Sequence, residues 1–306
     1  MLLVAAQPAI ADGKLKDAYA QAAAAAKSGR AALNSAIRPT LDNIGDKELS
    51  GEDLFYAGSM AVRVRRFDEA IRDLEKYLNE PGENGAVALV NLMEAYVWRN
   101  RLEEVFAAHE RFTAEYGETK LGDPLNQGLP CHVGADLNYY MALVRADRSS
   151  EAIVVLKRVL DAIGDNSEGY LNDATLLNYH SFYATMLKEQ VGWEAGVEYL
   201  RTVAQPMFKD NPALDAKIRD RMLFQKLDHY IATYQYDKGL AELKATVDSF
   251  KVDDVSYRRV SHALKRFSLY RQPAPELVGH AWVGGNPTSI AEQRGNVVLL
   301  YFFWSG

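Results

Sequence analysis

Small and bulky apolar residues recur in a pattern that restricts most of this chain to pairs of packed helices. The first pair carries the fullest version of it: Leu54, Gly58, Ala61, Phe67, Ala70, Leu74 and Tyr77, followed by Pro81. Helical spacing places these residues on the facing sides of two consecutive helices. Gly58 and Ala70 allow the two helices to approach closely, while the bulky residues fill the space between pairs. The segment therefore predicts an antiparallel helical hairpin.

Looser versions of the same pattern follow along the chain. They comprise Tyr96, Leu102, Val105 and Phe112; Leu143, Ala152, Leu156 and Val159; Trp193, Gly196, Leu200 and Val203; and Tyr230, Tyr236, Gly239 and Leu243. The close-contact positions Ala70, Val105, Ala152, Gly196 and Gly239 are separated by 35, 47, 44 and 43 residues. The pattern resembles the tetratricopeptide repeat, whose usual length of about 34 residues only the first interval approaches. The resemblance implies a mostly α fold, a right-handed solenoid of antiparallel helix hairpins. An irregular helical array without a true repeat is the alternative.

Residues 13–271 are assigned to this helical domain. Its beginning, Lys14–Ile37, is rich in alanine, the strongest helix former, and Pro39 is expected to end that helix. Gly117–Gly134 is rich in glycine and proline and too long for an ordinary connection, so we expect it to be functional or mobile. Arg271–Pro275 predicts an extended linker, because proline disfavours helical geometry in its neighbours. The domain boundary is placed there.

The C-terminal residues contain an ordered set of motifs. These are Pro273-Ala-Pro-Glu-Leu277, Trp282, Ser289–Arg294, and an apolar strand, Val297–Phe302, that leads into Phe303-Trp304-Ser305-Gly306. The set resembles the opening of a thioredoxin-like domain in thiol–disulfide oxidoreductases of the TlpA/ResA type, within the AhpC/TSA (redoxin) superfamily. Asn296 stands where that family usually has lysine. The match covers only residues 273–306, and the alternative is a C-terminal hairpin that caps the helical region.

Residues 272–306 are accordingly interpreted as the N-terminal fragment of an incomplete thioredoxin-like α/β domain, present as a short C-terminal β segment. The family carries its redox cysteines just after this strand. The resemblance therefore implies that the redox cysteines lie beyond Gly306 and that no catalytic residue lies in this chain. It also implies that the redox loop is adjoined by Phe303, Trp304, Ser305 and Gly306. It implies the N-terminal part of a thiol–disulfide oxidoreductase without a cofactor, whose helical domain binds a protein or peptide substrate or redox partner. The alternative is a non-catalytic protein-interaction scaffold.

Charge and hydropathy narrow the class of protein and of partner. The 306 residues include 35 Lys and Arg against 41 Asp and Glu, a formal charge of −6. Nucleic-acid binding is not expected, because it needs clustered positive charge. Beyond the N-terminus no apolar run approaches the roughly 18 residues of a membrane span. Residues 1–12 end in an Ala-x-Ala pattern and resemble a signal-peptide remnant, which implies the cell envelope, periplasm or secretion. A frayed alanine-rich terminus of a cytoplasmic protein is the alternative.

Catalytic and metal-binding motifs are missing from the sequence. It contains no Gly-rich phosphate loop, His-Glu-x-x-His, Gly-x-Ser-x-Gly or paired-cysteine metal spacing. Cys131 is the single cysteine, so no internal disulfide can form. Cys131 and His132 are adjacent and should point in different directions. We therefore expect loop residues of mixed exposure rather than a nucleophile or a metal site.

A binding groove is the remaining functional prediction. In the tetratricopeptide register, the first helix of each pair places five residues on the concave face: Arg63, Glu94, Trp98, Arg145 and Lys188. Mixed charge with one tryptophan suits a peptide or a partner domain, although it is not the uniform basic clamp expected for a C-terminal carboxylate. The 17 tyrosines are interpreted mainly as filling helix–helix interfaces. The alternative for them is an aromatic peptide-binding groove.

Overall fold

The structure, a computed structural model, describes residues 14–270 except 46, 118, 127 and 165–168, together with 272 and 292. Nearly all regular structure in this part is helical. The α-helices are α1 (Lys14–Ala26), α2 (Arg30–Ile44), α3 (Glu52–Arg63), α4 (Phe67–Tyr77), α5 (Gly85–Trp98), α6 (Leu102–Tyr116), α7 (Cys131–Arg145), α8 (Ser149–Ile163), α9 (Asp173–Gln190), α10 (Trp193–Tyr199), α11 (Gln205–Phe208), α12 (Pro212–Ala232), α13 (Tyr236–Thr246) and α14 (Asp254–Leu269). Two-residue strands β1 (Gly122–Asp123) and β2 (Leu129–Pro130) pair antiparallel.

The chain divides into two compact units, Met1–Lys226 and Leu227–Gly306, and the division falls inside α12. In the first unit, one apolar cluster joins residues of α1 to α7 and a second joins residues of α7 to α12. A core that continues from one hairpin to the next is what a stack of repeats predicts, because no hairpin can bury its own apolar face alone.

The predicted helix pairs are present, and a shared turn defines their register. In α3/α4, the backbone N–H of Arg66 donates to Ala61 and that of Arg65 donates to Val62. The same two bonds, a Schellman motif, recur after α5, α7 and α12. The left-handed residue at the centre of each turn is Arg65, Asn100, Asp147 or Tyr234. Each lies five positions before a predicted close-contact residue: Ala70, Val105, Ala152 or Gly239.

Close approach of the paired helices explains the glycines of the pattern. A Cβ atom added at Gly58 would lie 2.7 Å from Cγ of Leu74, and one at Gly196 would lie 2.5 Å from the carbonyl oxygen of Ala184. Both distances are shorter than van der Waals contact. A larger residue would therefore require Leu74 to move at Gly58 and the helix backbone to move at Gly196.

The predicted helix over Lys14–Ile37 is wrong in two respects. Gly29, with a φ of 100°, interrupts it and separates α1 from α2, which pack against each other as a further hairpin. Pro39 does not end α2, which continues to Ile44. Proline removes one donor to the helical ladder, and here the residues beyond it stay in the helix because Leu41 and Ile44 are buried.

The stretch Gly117–Gly134 is folded in its described residues. It forms the β1–β2 hairpin with a 3₁₀ turn, Pro124–Asn126, and that turn packs against α1 and α3. Leu125 and Leu129 are buried. The predicted linker at 271–275 apart from Gln272, the strand Val297–Phe302 and residues Phe303 to Gly306 lie outside the described residues, as do residues 1–12. The right-handed sense of the solenoid stays a prediction.

Candidate functional site

Three of the predicted groove residues occupy one equivalent position in successive hairpins. Arg63, Trp98 and Arg145 are the last residues of α3, α5 and α7, each two positions before the left-handed residue of its turn. The repeat therefore aligns them along one edge. Glu94 lies one helical turn before Trp98 on α5.

Arg63 is the centre of a largely buried polar network. Its Nη2 donates to Oδ1 of Asn91 at 2.5 Å and to Oε2 of Glu94 at 2.6 Å, and lies 3.6 Å from Oδ2 of Asp123. Asn91 in turn donates to the Ser59 hydroxyl at 3.2 Å. The network links α3 and α5 to the hairpin that precedes α7. It holds that hairpin against the first helices.

Burial governs the ionisation of this network. For the Arg63 guanidinium, burial opposes the charge, but Glu94 and Asp123 outweigh it and raise the pKa. For the Asp123 carboxyl, burial dominates and raises the pKa despite the charge of Arg63. A charge without its partner is strongly unfavourable in such a site. The contact is therefore structural support beneath the groove.

An aromatic platform lies at the outer end of the network. The Trp98 ring stacks on Phe67 at 5.9 Å between centroids with 9° between the planes, and 42% of Trp98 is exposed. The guanidinium groups of Arg65 and Arg145 lie over the Trp98 ring, 5.0 and 5.7 Å from its centroid. Arg145 also donates through Nη1 to the carbonyl of Val97. The ring is therefore held from below by Phe67 and flanked by two cations.

Beside this platform is a cavity of about 260 Å³. Residues of α1 to α5 and of the 3₁₀ turn line it: Ala26, Gly29, Arg30, Leu33, Val62, Arg63, Arg65, Phe67, Glu94, Trp98, Leu125 and Asn126. The lining combines three arginines with a single carboxylate. We call this cavity and the Trp98 platform the groove.

Cys131 and His132 do not form a reactive pair. They begin α7 instead of lying in a loop, and Cys131 is buried whereas His132 is exposed. Burial, and secondarily the charge of Asp123, raises the pKa of the Cys131 thiol to about 12. Burial therefore favours the protonated thiol at neutral pH, which argues against a nucleophilic role because the thiolate is the reactive form.

Four of the five predicted groove residues come together in the structure. Lys188 does not join them in register: the Gly192 backbone N–H donates to Leu187, which places Lys188 one position before the equivalent of Trp98. Arg30, Arg65 and Asp123 were not predicted. The left-handed turn position of Arg65 could have been inferred from its alignment with Asn100 and Asp147, but Arg30 and Asp123 reach the site only through the fold.

Neither a cluster of metal-ligating side chains nor a membrane-spanning helix occurs in the part of the chain that the structure describes. There, no group of three or more His, Cys, Asp or Glu side chains is placed to hold a metal ion. Among the same residues, no helix combines the length and apolarity that a membrane span requires.

Comparison with known proteins identifies the fold. No protein-family model and no curated protein sequence matches the chain. The crystal structure of the apo form of RapI aligns with 85% of this chain and 76% of its own, at a TM-score of 0.51 and 13% identity. A Rap protein complexed with competence and sporulation factor aligns with 84% of this chain and 86% of its own, also at 13% identity, but its TM-score of 0.38 supports no argument. The likeness to RapI concerns the fold alone: a mostly helical, tetratricopeptide-like repeat.

Proposed function

We propose that this chain is a protein-interaction scaffold whose groove binds a protein or peptide partner. The observation that carries the proposal is Trp98, a large aromatic side chain left 42% exposed and stacked on Phe67. Tryptophan and arginine are the residues most enriched among those that dominate binding energy at protein interfaces. Here they lie side by side on one edge of a helical repeat.

The support beneath the platform favours binding over a purely structural role. The Arg63 network holds α3 and α5 to each other, and Phe67 fixes the plane of the Trp98 ring. A ring held in this way loses little conformational entropy when a partner covers it. No catalytic constellation accompanies it among the residues described, so binding is the chemistry that the groove supports.

Site-specific photocrosslinking tests this proposal. A photoreactive phenylalanine analogue at Arg30, which is exposed and lines the groove, leaves Trp98, Arg65 and Arg145 in place to bind the partner. It should give a discrete adduct with a protein in the cells that make this chain. The matched control carries the same analogue at Val154, which is 62% exposed on α8. The absence of an adduct at position 30, or the same adduct from both positions, would contradict the scaffold function.

A second candidate function rests on the C-terminal motifs. Because Pro273–Leu277 and Val297–Trp304 resemble the opening of a thioredoxin-like domain, we propose that the helical repeat presents a partner to a thiol–disulfide oxidoreductase domain. Its cysteines would follow Gly306. A reading frame that continues without Cys-x-x-Cys, or a single peroxidatic-type cysteine, within about ten residues of this strand would refute the redox function. The scaffold function would be unaffected.

Location in the cell envelope, the periplasm or outside the cell belongs to the same proposal. It rests on the Ala-x-Ala pattern within residues 1–12. Fractionation of cells that express the gene from its native start separates this proposal from a cytoplasmic location.

A further inference from the structure

We propose that the groove selects an acidic segment of its partner, with carboxylate side chains meeting Arg30, Arg65 and Arg145 while the segment lies against Trp98. The inference rests on the proposed scaffold function and names the chemistry of the partner.

Uncompensated positive charge is the first argument. The chain as a whole carries a charge of −6, yet no described carboxylate pairs with Arg30, Arg65 or Arg145. All three side chains are exposed. By contrast, the two acids of the buried network, Glu94 and Asp123, already share Arg63. The outer part of the groove is therefore positive within an acidic protein, and charge complementarity selects an anionic partner.

The unused hydrogen-bond donors are the second argument. A guanidinium group has five N–H donors in a planar fork that matches a carboxylate. The contacts of Arg65 and Arg145 with the Trp98 ring use none of them, and the bond from Arg145 to the Val97 carbonyl uses only one nitrogen. Both guanidinium groups are already held at the Trp98 ring, so binding a carboxylate costs little additional side-chain entropy.

Fold stability does not account for the three arginines together. A cation is favourable at the C-terminal end of a helix, which explains Arg145 beside the last turn of α5. Arg30, however, is the first residue of α2, where the helix dipole disfavours a cation. Arg65 adopts a φ of 67°, a conformation that arginine rarely takes. Two of the three positions are therefore unfavourable for the fold itself.

A carboxylate of the protein itself already binds an arginine in the inner part of the groove. Asp123 enters from the β1–β2 hairpin and meets Arg63, while Leu125 of the same hairpin lines the cavity wall. One segment of the chain thus places a carboxylate against Arg63 and an apolar side chain in the cavity wall. An acidic partner segment would continue this arrangement outward to the three unpaired arginines.

Fluorescence anisotropy with defined peptides tests the inference. The probe is a fluorescein-labelled octamer of glutamate with a blocked C-terminus, compared with octamers of glutamine and lysine at about 50 mM salt. We expect the glutamate octamer to bind and the other two not to bind. The double variant Arg30→Gln/Arg65→Gln should weaken binding about tenfold, since charge-assisted contacts are lost.

Further variants separate the groove from general charge. Trp98→Leu should weaken binding and Trp98→Phe should restore part of it, whereas Arg258→Gln, which removes an exposed arginine of α14, should leave it unchanged. Unchanged thermal unfolding of each variant shows that the fold is retained. Three results would overturn the inference. They are equal binding of the glutamine octamer, a requirement for a free C-terminal carboxylate, and tighter binding of an octadeoxynucleotide. An adduct at position 30 without glutamate binding would overturn the acidic partner and leave the scaffold function standing.

Discussion

Left-handed turn residues carry a cost that depends on the side chain. Among the described residues, four other than glycine have positive φ: Arg65, Asn100, Asp147 and Tyr234, with values between 58° and 67°. Asparagine and aspartate tolerate this conformation because their short side chains bond locally, whereas arginine and tyrosine are strained by contact between Cβ and the backbone. The turn is therefore cheaper in the second and third pairs than at Arg65 or Tyr234.

Relief of this strain should stabilise the second unit. We expect Tyr234→Gly to raise the free energy of unfolding by about 1 kcal/mol, the difference between left-handed strain and the added flexibility of glycine in the unfolded chain. Asn100→Gly is the matched control and should change it by less than about half as much, because asparagine tolerates the left-handed conformation. Chemical denaturation checks both variants. Destabilisation by Tyr234→Gly would mean that contacts of the tyrosine ring stabilise the fold by more than the left-handed backbone strain destabilises it.

His180 is a buried base in the first unit. Only 3% of the residue is exposed, its Nδ1 lies 2.7 Å from the Tyr199 hydroxyl, and its buried Nε2 has no hydrogen-bond partner among the described residues. Burial lowers the pKa of His180 from 6.5 to about 4. The imidazole therefore stays neutral in the folded chain under conditions that protonate it in the unfolded one.

Stability should consequently fall in acid. Between pH 6.5 and about 4 the unfolded state binds a proton at His180 that the folded state does not, so the free energy of unfolding decreases as the pH falls through this window. The contribution is up to about 3 kcal/mol, with no further loss from this group below pH 4. Denaturation across this range should show a smaller decrease for His180→Asn. Exposed His132→Asn is the control, and equal decreases in both variants would argue against His180.

At the scale of elements, the paired helices differ in which atoms would obstruct a side chain added at the contact glycine. At Gly58 the obstacle is the Leu74 side chain, which can change rotamer. At Gly196 it is the backbone carbonyl of Ala184 on α9, which cannot move without displacing the helix. The fourth pair also continues α10 into a π-helical turn, Leu200–Ala204, before α11.

Alanine should therefore be tolerated less well at Gly196 than at Gly58. We expect Gly196→Ala to lower the free energy of unfolding by about 2 kcal/mol through overpacking, although alanine is the better helix former. Gly58→Ala should cost less, because Leu74 can adjust. Thermal unfolding of the two variants decides the order; a stabilised Gly196→Ala variant would show that α9 and α10 can separate.

At the scale of the molecule, the helical part carries its own core. Both apolar clusters of the first unit are built from residues of α1 to α12, and α13 packs on α14 in the second unit, where Gly239 faces the Phe267 ring.

A chain ending at Tyr270 should therefore fold and bind as the longer chain does. We expect its helical circular dichroism, its thermal midpoint and its photoadduct at position 30 to be unchanged, since a repeat needs only its neighbours. Loss of the adduct with the fold intact would show that residues beyond Tyr270 take part in binding. In that case the groove alone would not be the scaffold.

The sequence predicted the helix pairs correctly but not the boundaries of the first two helices. The helix pairs were predictable because small residues at Gly58, Gly196 and Gly239 interrupt an otherwise bulky pattern. The break at Gly29 was missed because the alanine run before it reads as one long helix, and Pro39 was overrated because local propensity cannot weigh the burial of Leu41 beyond it. The tertiary context decided both.

Local spacing alone determined that the helical part of this chain is a series of hairpins and that Arg63, Trp98 and Arg145 share one position in it, because helical periodicity and close packing act between near neighbours. The groove itself depended on the tertiary structure. Only the packing of α2, α3 and α5 with the β1–β2 hairpin brings Arg30 to the cavity beside Trp98 and Asp123 to Arg63.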